Sequence, residues 1–526
     1  MTFYLRIEAV NLSHFINDTN DLSTTRGGSL LLLEAMDKVE DIITNNSPKK
    51  VSRSEQEITD LDNQLNELNN IQNPTQSDKN KKKKLREKLR KLKEAMNNAG
   101  VQDSGPTITK GASWGLFNLD MSDGDASHLK TKVVDYFKHD ILYKHATFVV
   151  DLHPGDQHYQ EDRNRLQSLN RWQQMQAPSL AITKEGKTGC AIDKIRPASE
   201  KRWLKDKEEG EEGKDYVSES VYQRRNYGRD QKQNFYKKVT KIEAKFTKDI
   251  GTLSKFSDKG ILEGKIAYIY IDGNSFNEIQ RASTTPKEQQ DFDNNTRRGR
   301  ETLLTNILDQ IATKPDWLTQ DGEVRLETLL WGGDEIIWVV PAWQGWWMVN
   351  EFYKQAGLRI KHKNKPLFHA TGLVFCHHNA PIHRIDSLAR ALADQFAKAD
   401  RESNLIAYQI LESFDHAGTQ LSAFREDAIK GLGKLGHLLV EAEKIGDISS
   451  CIAELKNDDE FAKRKVYQLI EAYREGKTTT AEQYVNKLSD KSIEPLEKLK
   501  TIFGGENAHW LHLMSLWDYM GGNNHD

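Results

Sequence analysis

The fold of this 526-residue chain is decided by the stretch KIAYIYIDGN, residues 265–274. From Ile266 to Ile271 it contains only isoleucine, alanine and tyrosine, a composition that predicts a buried strand. The strand ends at Asp272, and Gly273 begins the turn into the next element. A carboxylate at the end of a buried strand is costly unless a partner compensates its charge, so this position is a candidate functional site.

The segments that follow this strand alternate between helix and strand. Gly332 and Gly333 form a hinge between two strands, which predicts a tight hairpin at that point. The order is β-α-α-β-β-α-β-α-β, and its core is a βαββαβ unit in which helices cover one face of a mostly antiparallel sheet. The predicted elements after the first strand include the helix 296–312, the strands 326–331 and 335–340, the helix 343–355, the strand 367–375, the helix 382–401 and the strand 406–411.

The N-terminal part has strand and helix patterns of the same kind. Residues 50–98 interrupt them, because apolar residues recur there at helical spacing, first in an acidic arm and then in a lysine-rich arm. This pattern predicts an inserted antiparallel helical hairpin, and pairing between the two arms is favoured over an RNA contact by the lysines. Beyond residue 418 the apolar spacing predicts helices. The N-terminal strands are predicted at residues 3–10, 113–119 and 146–152, with helices through residues 28–34 and 129–143.

Composition excludes several classes of protein. The net charge of -3 gives no overall attraction to nucleic acid or to an anionic membrane, so such binding requires a local patch. The three cysteines are far apart and lack CxxC spacing, which argues against disulfides and against a zinc site built from cysteine. The most apolar stretch, residues 326–349, is interrupted by the pair Gly332-Gly333, by the acids Asp334 and Glu335 and by Pro341, and is not a membrane span. The first eight residues have no signal-peptide pattern, and the chain is expected to be cytoplasmic.

Two acidic motifs lie where a nucleotidyl-transfer domain of the palm type places its metal ligands. Asp272 ends the first strand, while Asp334 and Glu335 follow Gly332 and Gly333 at the hairpin. Magnesium prefers oxygen ligands and usually takes one or two carboxylates together with phosphate oxygens and water. Each motif alone is an ordinary strand end or turn, but together, in this order within one βαββαβ unit, they predict a catalytic site.

The backbone around these carboxylates is predicted to hold the phosphates of a nucleotide. The amides after Asp272 open a helix, and a helix N-terminus attracts anions. The glycines of the hairpin permit positive φ and allow a triphosphate to approach the backbone closely. The residues predicted to bind nucleotide are Gly273, Asn274, Ser275, Phe276, Gly332, Gly333 and Lys398.

These motifs resemble those of a known family. The strand end at Asp272 and the hairpin at Asp334 and Glu335 are similar to GGDEF-type nucleotide cyclases, and more similar to the large palm-domain subunit, a polymerase and cyclic oligonucleotide synthetase, of type III CRISPR effector complexes. The further motifs that carry the resemblance are the strand 370–375, the His-rich turn 377–381, the Ala397-Lys398 pair, the stretch 21–29 of the first palm and the run 190–197 of the linker.

The resemblance covers residues 1–415 apart from the inserted hairpin, and it implies an α+β fold with two ferredoxin-like (βαββαβ) palm domains, an inserted helical hairpin and an all-helical C-terminal domain. It implies synthesis of a cyclic oligonucleotide messenger in antiphage defence, with Asp272, Asp334 and Glu335 holding two Mg²⁺ or Mn²⁺ ions. The implied divisions are a degenerate first palm at 1–185 with the hairpin at 50–100, a linker region at 186–245, the catalytic palm at 246–415 and the helical domain at 416–526.

Several departures from the family narrow this expectation. The first palm lacks a Gly-Gly-Asp hairpin, so a single metal site is expected. The hairpin has Asp-Glu where the CRISPR subunit usually has Asp-Asp, which is closer to the GGDEF cyclases. The linker keeps one cysteine of the usual cluster, so no zinc is predicted. His139-Asp140 is an isolated pair inside a predicted helix and is not expected to be a nuclease site. The chain is also short, which fits a standalone or minimal relative.

Some side chains near the motifs have ordinary explanations. The resemblance implies that Lys398 contacts the triphosphate. A solvated lysine at a helix end explains its position equally well. Arg297, Arg298 and Arg300 either reach phosphates or face water and are left out of the site. The remaining residues are assigned to structure: His369, His377, His378 and His383 to loops and surface, and Trp343, Trp346 and Trp347 to the core.

Two further functions stay open at this stage. The segment 217–236 mixes arginine and tyrosine as proteins that bind single-stranded RNA do, which favours an RNA-binding, catalytically weak or inactive structural subunit of a CRISPR-type ribonucleoprotein. A template-directed polymerase is disfavoured because the composition indicates no basic duplex channel. The expected partners are nucleoside triphosphates, with ATP favoured, and RNA or other CRISPR-type subunits; a homo-oligomer is left open, and no membrane partner is expected.

Overall fold

The computed structural model describes residues 1–46, 105–156, 158–176, 186–203, 214–412 and 420–520, together with single positions between residues 61 and 88. Apart from those single positions, the helical hairpin predicted at residues 50–100 lies outside the described residues. Every described helix is too short or too polar to cross a bilayer.

The N-terminal part contains a four-stranded antiparallel sheet. Its strands are β1 (Thr2–Val10), β2 (Thr107–Lys110), β3 (Trp114–Asp120) and β4 (Thr147–Pro154). Their order in the sheet is β2-β3-β1-β4. The helices of this part are α1 (Leu22–Asn46), α2 (Asp123–His139) and α3 (Tyr159–Gln176). Asp21 accepts the Thr24 amide at 2.9 Å and caps the start of α1.

The second sheet has six strands and lies in the C-terminal two thirds of the chain. Its strands are β5 (Lys265–Gly273), β6 (Glu327–Gly332), β7 (Glu335–Pro341), β8 (His369–His377), β9 (Leu405–Ile410) and β10 (Leu439–Glu441). Their order is β6-β7-β5-β8-β9-β10, and only the β8–β9 pair is parallel. The helices that precede or cover this sheet are α4 (Glu219–Thr240), α5 (Ile250–Ser254), α6 (Phe276–Ala282), α7 (Pro286–Ile311), α8 (Gly345–Arg359) and α9 (Ile382–Gln395).

The last hundred residues are mostly helical. The prediction that this part is all-helical is wrong, because β10 lies in it and pairs with β9 to complete the second sheet. A three-residue strand is too short to leave a periodic pattern in the sequence. The helices are α10 (Leu421–Ile429), α11 (Ile445–Lys456), α12 (Lys463–Arg474), α13 (Thr478–Val485), α14 (Asp490–Ile502) and α15 (Ala508–Leu516).

The two sheets repeat one topology. Strands β1 to β4 and strands β5 to β8 each form a βαββαβ unit, with the same order of the four strands. In both units the two crossing helices pack on one face, and the helix after the fourth strand packs on the other face. The mixed α+β fold with two such units, predicted from the sequence, is therefore present in the structure, whereas the domain boundaries remain predictions.

Successive side chains of β5 point to opposite faces of the second sheet, and the two faces have different environments. Ile269 and Ile271 pack beneath α7 and α8 in the largest apolar core. Tyr268, Tyr270 and Asp272 point to the opposite face, which α9 covers in part. Two polar side-chain ends and a carboxylate thus line one face of an otherwise apolar strand.

The first sheet keeps the backbone of this site without its cluster of acids. Glu8 pairs with Trp114 across β1 and β3, just as Asp272 pairs with Glu335 across β5 and β7. The carboxylate of Glu8 is neutralised by Arg6, whose Nη2 donates to it at 2.6 Å. A tryptophan thus takes the place of the second acid, which agrees with the prediction that the first palm is degenerate.

The two units are joined by a buried ion cluster. Arg26 of α1 donates to both carboxylate oxygens of Glu327, at 2.6 and 2.7 Å. Lys232 of α4 donates to the same carboxylate at 2.6 Å. All three side chains are almost fully buried. Because Glu327 begins β6, which leads to the acidic hairpin, this cluster fixes the first unit and α4 against the site.

In the segment 217–236, the side chains Arg224, Arg225 and Tyr236 that suggested an RNA surface are buried within the protein instead. Arg224 is fully buried and donates to both oxygens of Asp18, at 2.9 and 2.8 Å. Arg225 is buried beside Asp21. Tyr236 stacks on Phe246, with 3.8 Å between ring centroids. The sequence pattern could not distinguish arginines on a surface from arginines that join two parts of the protein.

The segment that resembles a zinc-binding linker is held by ion pairs and turns. Asp193 accepts the amides of Ile195 and Arg196 at 3.0 and 3.1 Å. The Arg196 guanidinium binds Asp193 at 2.7 Å and also binds Asp18. Cys190 is buried beside this turn. The absence of zinc remains a prediction, for which these contacts give a physical alternative.

Candidate active site

Three carboxylates lie together at one edge of the second sheet. In the antiparallel register of β5 and β7, Asp272 pairs directly with Glu335. Asp334 lies in the turn before Glu335, and its carbonyl oxygen accepts the Gly273 amide at 3.1 Å. The structure therefore brings together the three predicted catalytic residues, although Asp272 is far from Asp334 and Glu335 in the sequence.

The hairpin that carries the two acids is a two-residue turn. Gly332 pairs with Glu335, and Gly333 has a φ of 56°, which fits the type II′ turn that needs glycine at its first central position. Gly332 is required by a close approach, since a β-carbon there would lie 2.2 Å from the β-carbon of Ala112. Ala112 lies in the turn between β2 and β3, so the hairpin tips of the two units touch beside Asp334.

Asp272 is bound by the lysine predicted to contact nucleotide. Lys398 lies in the short 3-10 turn Ala397–Ala399 after α9. Its Nζ donates to a carboxylate oxygen of Asp272 and, at 2.7 Å, to Asp394. Burial, followed by the charge of Asp334, raises the pKa of Asp272 to about 7, while the hydrogen bond from Lys398 acts in the opposite direction.

Glu335 is held by two donors that sequence reasoning missed. The Tyr270 hydroxyl donates to Glu335 Oε1 at 2.8 Å, and Arg390 Nη1 donates to the same oxygen at 3.2 Å. Arg390 also lies 4.5 Å above the Tyr270 ring and binds Asp386 through Nε. One signal was available, because Tyr270 precedes Asp272 by two residues and must share its face of the strand.

Asp334 has a cationic neighbour of another kind. Arg300 of α7 is buried and lies 5.8 Å from the Trp331 ring, and among the described residues its Nε and one Nη have no hydrogen-bond partner. Burial lowers its pKa, and the charges of Asp293 and Asp334 oppose that shift. Burial and the charge of Glu335 raise the pKa of Asp334, with Arg300 acting against them. Arg300, which the sequence interpretation left out, therefore belongs to the electrostatics of the site.

The predicted phosphate-binding amides divide into two groups. The Gly273 amide is used by Asp334, and the Asn274 amide donates to Phe368 O at 2.9 Å. Ser275, with a φ of 60°, precedes α6, and Phe276 begins that helix. The prediction of phosphate binding through backbone amides is therefore confined to Ser275 and Phe276.

A cavity of about 610 Å³ separates the two units beside Glu335. From the first unit it is lined by side chains of α1, including Thr25 and Ser29, and by Ala112 and Ser113 of the β2–β3 turn. The second unit contributes residues of β7 and α9. The cavity is large enough for a nucleotide-sized ligand and opens onto the face that carries the acids.

Other residues near the motifs are placed as follows. His369 was predicted to be a loop or surface residue, but it is buried in β8 opposite Gly273, and burial lowers its pKa to about 3. Trp346 is buried in the core as predicted, while Trp343 and Trp347 pack against it. His139 ends α2 rather than lying within it.

Sequence comparison and structure comparison give different outcomes. No family model matches the sequence, and no curated protein sequence is detectably similar to it. Solved structures are similar in fold. A Csm1–Csm4 cassette in complex with pppApApA has a TM-score of 0.51 at 11% identity, over 99% of this chain and 69% of that chain. The cassette in complex with cA4 has a TM-score of 0.50 at 10% identity, over 99% and 70%.

The fold resembles that of Csm1. A third cassette structure, in complex with AMPPNP, has a TM-score of 0.50 at 11% identity and covers the same 99% of this chain and 69% of its own. Csm1 is the large subunit of a type III CRISPR complex, so the resemblance inferred from the sequence motifs is confirmed at the level of the fold.

Within this Csm1-like fold, the donor set suits a hard cation, although it is not arranged as a finished metal centre. Among the described residues, no three Asp, Glu, His or Cys side chains converge as ligands of one ion. Asp272 and Glu335 are instead turned to Lys398 and Arg390. The donors are all carboxylate oxygens, and burial together with mutual repulsion raises the pKa of Asp272 and of Asp334. This chemistry fits Mg²⁺ or Mn²⁺, which relieve such repulsion.

The raised pKa of Asp272 gives a testable dependence of stability on pH. The folded carboxyl titrates at about 7, whereas an unfolded aspartate titrates at about 3.9. Its contribution to stability is therefore fully present below about pH 4 and is lost as the pH rises through about 7. In EDTA, the thermal unfolding midpoint of the wild type should fall between about pH 4 and 7 more steeply than that of Asp272→Asn. Asn at the exposed position Asp459 is the control, and equal slopes for wild type and Asp272→Asn would contradict the assignment.

Proposed function

We propose that this chain is a metal-dependent nucleotidyltransferase that joins nucleoside triphosphates, with ATP favoured, into a cyclic oligonucleotide messenger for antiphage defence. The observation that carries the proposal is the placement of Asp272, Asp334 and Glu335 on paired strands around one hairpin. The similar Csm1–Csm4 structures are complexes with cA4, pppApApA and AMPPNP, which supports adenine nucleotides as the substrate class.

Some side chains of the proposed site would bind the metal ions and the triphosphate, and others orient the carboxylates. Two Mg²⁺ or Mn²⁺ ions held by the three carboxylates would neutralise the triphosphate and acidify the attacking hydroxyl. Tyr270 and Arg390 both bind Oε1 of Glu335, so they fix this side chain and leave its Oε2 for a ligand. Lys398, when it leaves Asp272, has its ammonium group beside the carboxylates, where the triphosphate is expected.

The cavity between the two units is the proposed place for the second nucleotide. Joining two nucleotides requires an acceptor hydroxyl close to the α-phosphate of the donor. The cavity borders Glu335 and is lined by Thr25 and Ser29 of the first unit. The degenerate unit would thus contribute a binding wall, while the acids of the second unit carry out the reaction.

The direct test is incubation of the purified protein with all four NTPs and Mg²⁺ or Mn²⁺, followed by mass spectrometry of the products. The proposal predicts a cyclic or linear oligonucleotide, with adenosine favoured, that Asp272→Asn does not produce. Added cellular RNA is included as a second condition, since a ribonucleoprotein subunit can need an activator. Failure of the wild type in both conditions would reject the synthetase.

Lys398 provides a prediction with two separable parts. Lys398→Met removes a charge-assisted contact to phosphate, and about 1.5–3 kcal/mol for such a bond corresponds to a KM for ATP roughly ten- to hundredfold higher. The same change frees Asp272 from its lysine, so half-maximal activity should need less Mg²⁺. ATP and Mg²⁺ titrations measure both effects, with Met at the exposed position Lys487 as control. An unchanged KM together with an unchanged Mg²⁺ requirement would remove Lys398 from the site.

A second candidate function is favoured by one observation. Two of the three carboxylates are already neutralised by the chain's own cations, Lys398 and Arg390. A subunit with that arrangement could bind nucleotides or RNA within a CRISPR-type ribonucleoprotein without joining nucleotides. ATP binding by the wild type without any product, in the presence of Mn²⁺ and RNA, would support this alternative.

A further inference from the structure

A basic groove lies on the surface of the second unit, between α7 and a small hairpin. The hairpin pairs Lys361–His362 with Lys365–Pro366. The groove has a volume of about 430 Å³ and is lined by side chains that are all basic or neutral. The residues that define it are Arg298, Arg359, Lys361, Lys363, Asn295 and Asn364.

Three of the four cations that line the groove lack an ion pair among the described residues. Between Glu351 and Asp386 the sequence contains no acidic residue. In the described part of the chain, Arg359, Lys361 and Lys363 form no ion pair. By contrast, the segment 217–236, whose arginines are more prominent in the sequence, uses Arg224 and Arg225 within the protein. A chain with a net charge of -3 thus keeps a concentrated positive surface at one place.

The exposed lysine at the hairpin tip, Lys363, has a left-handed backbone conformation. Lys363 and Asn364 have φ of 47° and 66°, the pattern of a type I′ turn, in which asparagine and glycine are preferred. A lysine in this left-handed region costs about 1–2 kcal/mol. The His362 ring packs edge-on against Phe292 of α7 at 5.2 Å and anchors the hairpin.

The acidic neighbour Glu288 does not cancel the positive charge at the hairpin. Glu288 of α7 acts on His362, whose pKa is lowered by burial and then by the charge of Lys363. The carboxylate of Glu288 is, however, engaged by the Thr284 amide and hydroxyl at 2.8 and 2.9 Å. The positive charge of Lys363 therefore outweighs this acid at His362.

The hairpin that lines the groove leads within a few residues into β8, which pairs with β5 beside Asp272. Lys365 is followed within a few residues by Phe368, whose carbonyl accepts the Asn274 amide, and by His369, which pairs with Gly273. We propose that this basic groove binds the phosphodiester backbone of a single-stranded oligonucleotide next to the catalytic edge. Lysine and arginine supply the charge, while Asn295 and Asn364 supply the neutral hydrogen bonds that phosphate oxygens also accept. The backbone can come from a longer RNA or from a short oligonucleotide product.

The test measures binding rather than activity, so it does not depend on the proposed reaction. Fluorescence anisotropy of the full chain in EDTA, without NTPs, is recorded with two probes, a labelled 30-nucleotide RNA and a labelled triadenylate. Lys361→Gln with Lys363→Gln should weaken binding at least about tenfold and reduce the salt slope by about 0.7 for each phosphate that is no longer neutralised. The control is Lys487→Gln with Lys491→Gln, which removes the same charge at exposed positions of the C-terminal part.

Each outcome of this test has a defined meaning. Weaker binding of either probe by the groove variant but not by the control supports the groove, and the affected probe identifies the source of the backbone. Equal binding by both variants, or no binding of either probe by the wild type at low salt, overturns the inference. Thermal unfolding of both variants checks that they are folded, and unchanged midpoints are expected because Lys363 is exposed and Lys361 is only half-buried.

Discussion

Asp334→Asn should reduce the rate of nucleotide joining by roughly 10³-fold while leaving the protein at least as stable as the wild type. The loss follows because a neutral amide cannot balance the cations that stabilise transition-state charge, and one such electrostatic contribution is worth about 10²–10³ in turnover. Stability is expected to hold because burial and Glu335 both oppose ionisation of Asp334. Single-turnover rates with ATP and thermal unfolding midpoints measure the two effects.

The combination of these two results is specific to a functional acid. Replacing an aspartate with a structural role would lower the stability of the protein. Replacing a surface aspartate would change neither its stability nor its activity. Asp459→Asn, at an exposed position of the C-terminal part, is the matched control and should behave as the wild type. A rate for Asp334→Asn within tenfold of the wild type would contradict the role given to the hairpin.

Glu327→Ala should lower the free energy of unfolding by about 3–5 kcal/mol, because it leaves two buried cations without their counterion. Arg26 and Lys232 both donate to this carboxylate, and their side chains are 3% and 7% exposed. Burial lowers the pKa of Lys232 to about 8 even with Glu327 present, so loss of the acid should drive deprotonation of this lysine. Urea unfolding at pH 7 and pH 9 measures both effects, and the penalty should shrink at the higher pH.

Two further variants separate the buried cluster from a surface ion pair. Glu34→Ala breaks the partly exposed pair with Lys38 and should cost less than about 0.5 kcal/mol. A variant that replaces Arg26, Lys232 and Glu327 with apolar residues of similar size should recover most of the lost stability, since no buried charge then remains. A loss below about 1 kcal/mol for Glu327→Ala would show that the cluster does not join the two units as described.

The elements that could be predicted from the sequence are those whose pattern is local. A few residues are enough to predict the buried strand that ends at Asp272 and the hairpin at Gly332 and Gly333, because apolar runs and turn glycines directly restrict the backbone conformation. The helix before β6 was predicted from residue 296 but begins at Pro286, since its first turns are polar and face the first unit. Strand β10 was missed for a related reason, as three residues carry no period.

The rest of the site depends on contacts between distant segments. Arg390 reaches Glu335 across the face of the sheet, and Arg300 approaches Asp334 from α7; neither relation has a signature in the sequence. The sequence pattern assigns Arg224 and Arg225 to RNA binding because composition does not reveal their acidic partners. Charged residues are thus the hardest to assign, since burial and pairing, rather than residue type, decide what they do.

The central claim is that the acids at the touching hairpins form a centre that joins nucleotides. The most direct measurement is mass spectrometry of the products formed from ATP and Mn²⁺ by the wild type and by Asp334→Asn, with binding of ATP measured in parallel. We expect a cyclic or linear oligoadenylate from the wild type alone, with ATP still bound by the variant. ATP bound by both proteins but no oligonucleotide from the wild type, with or without RNA, would contradict it.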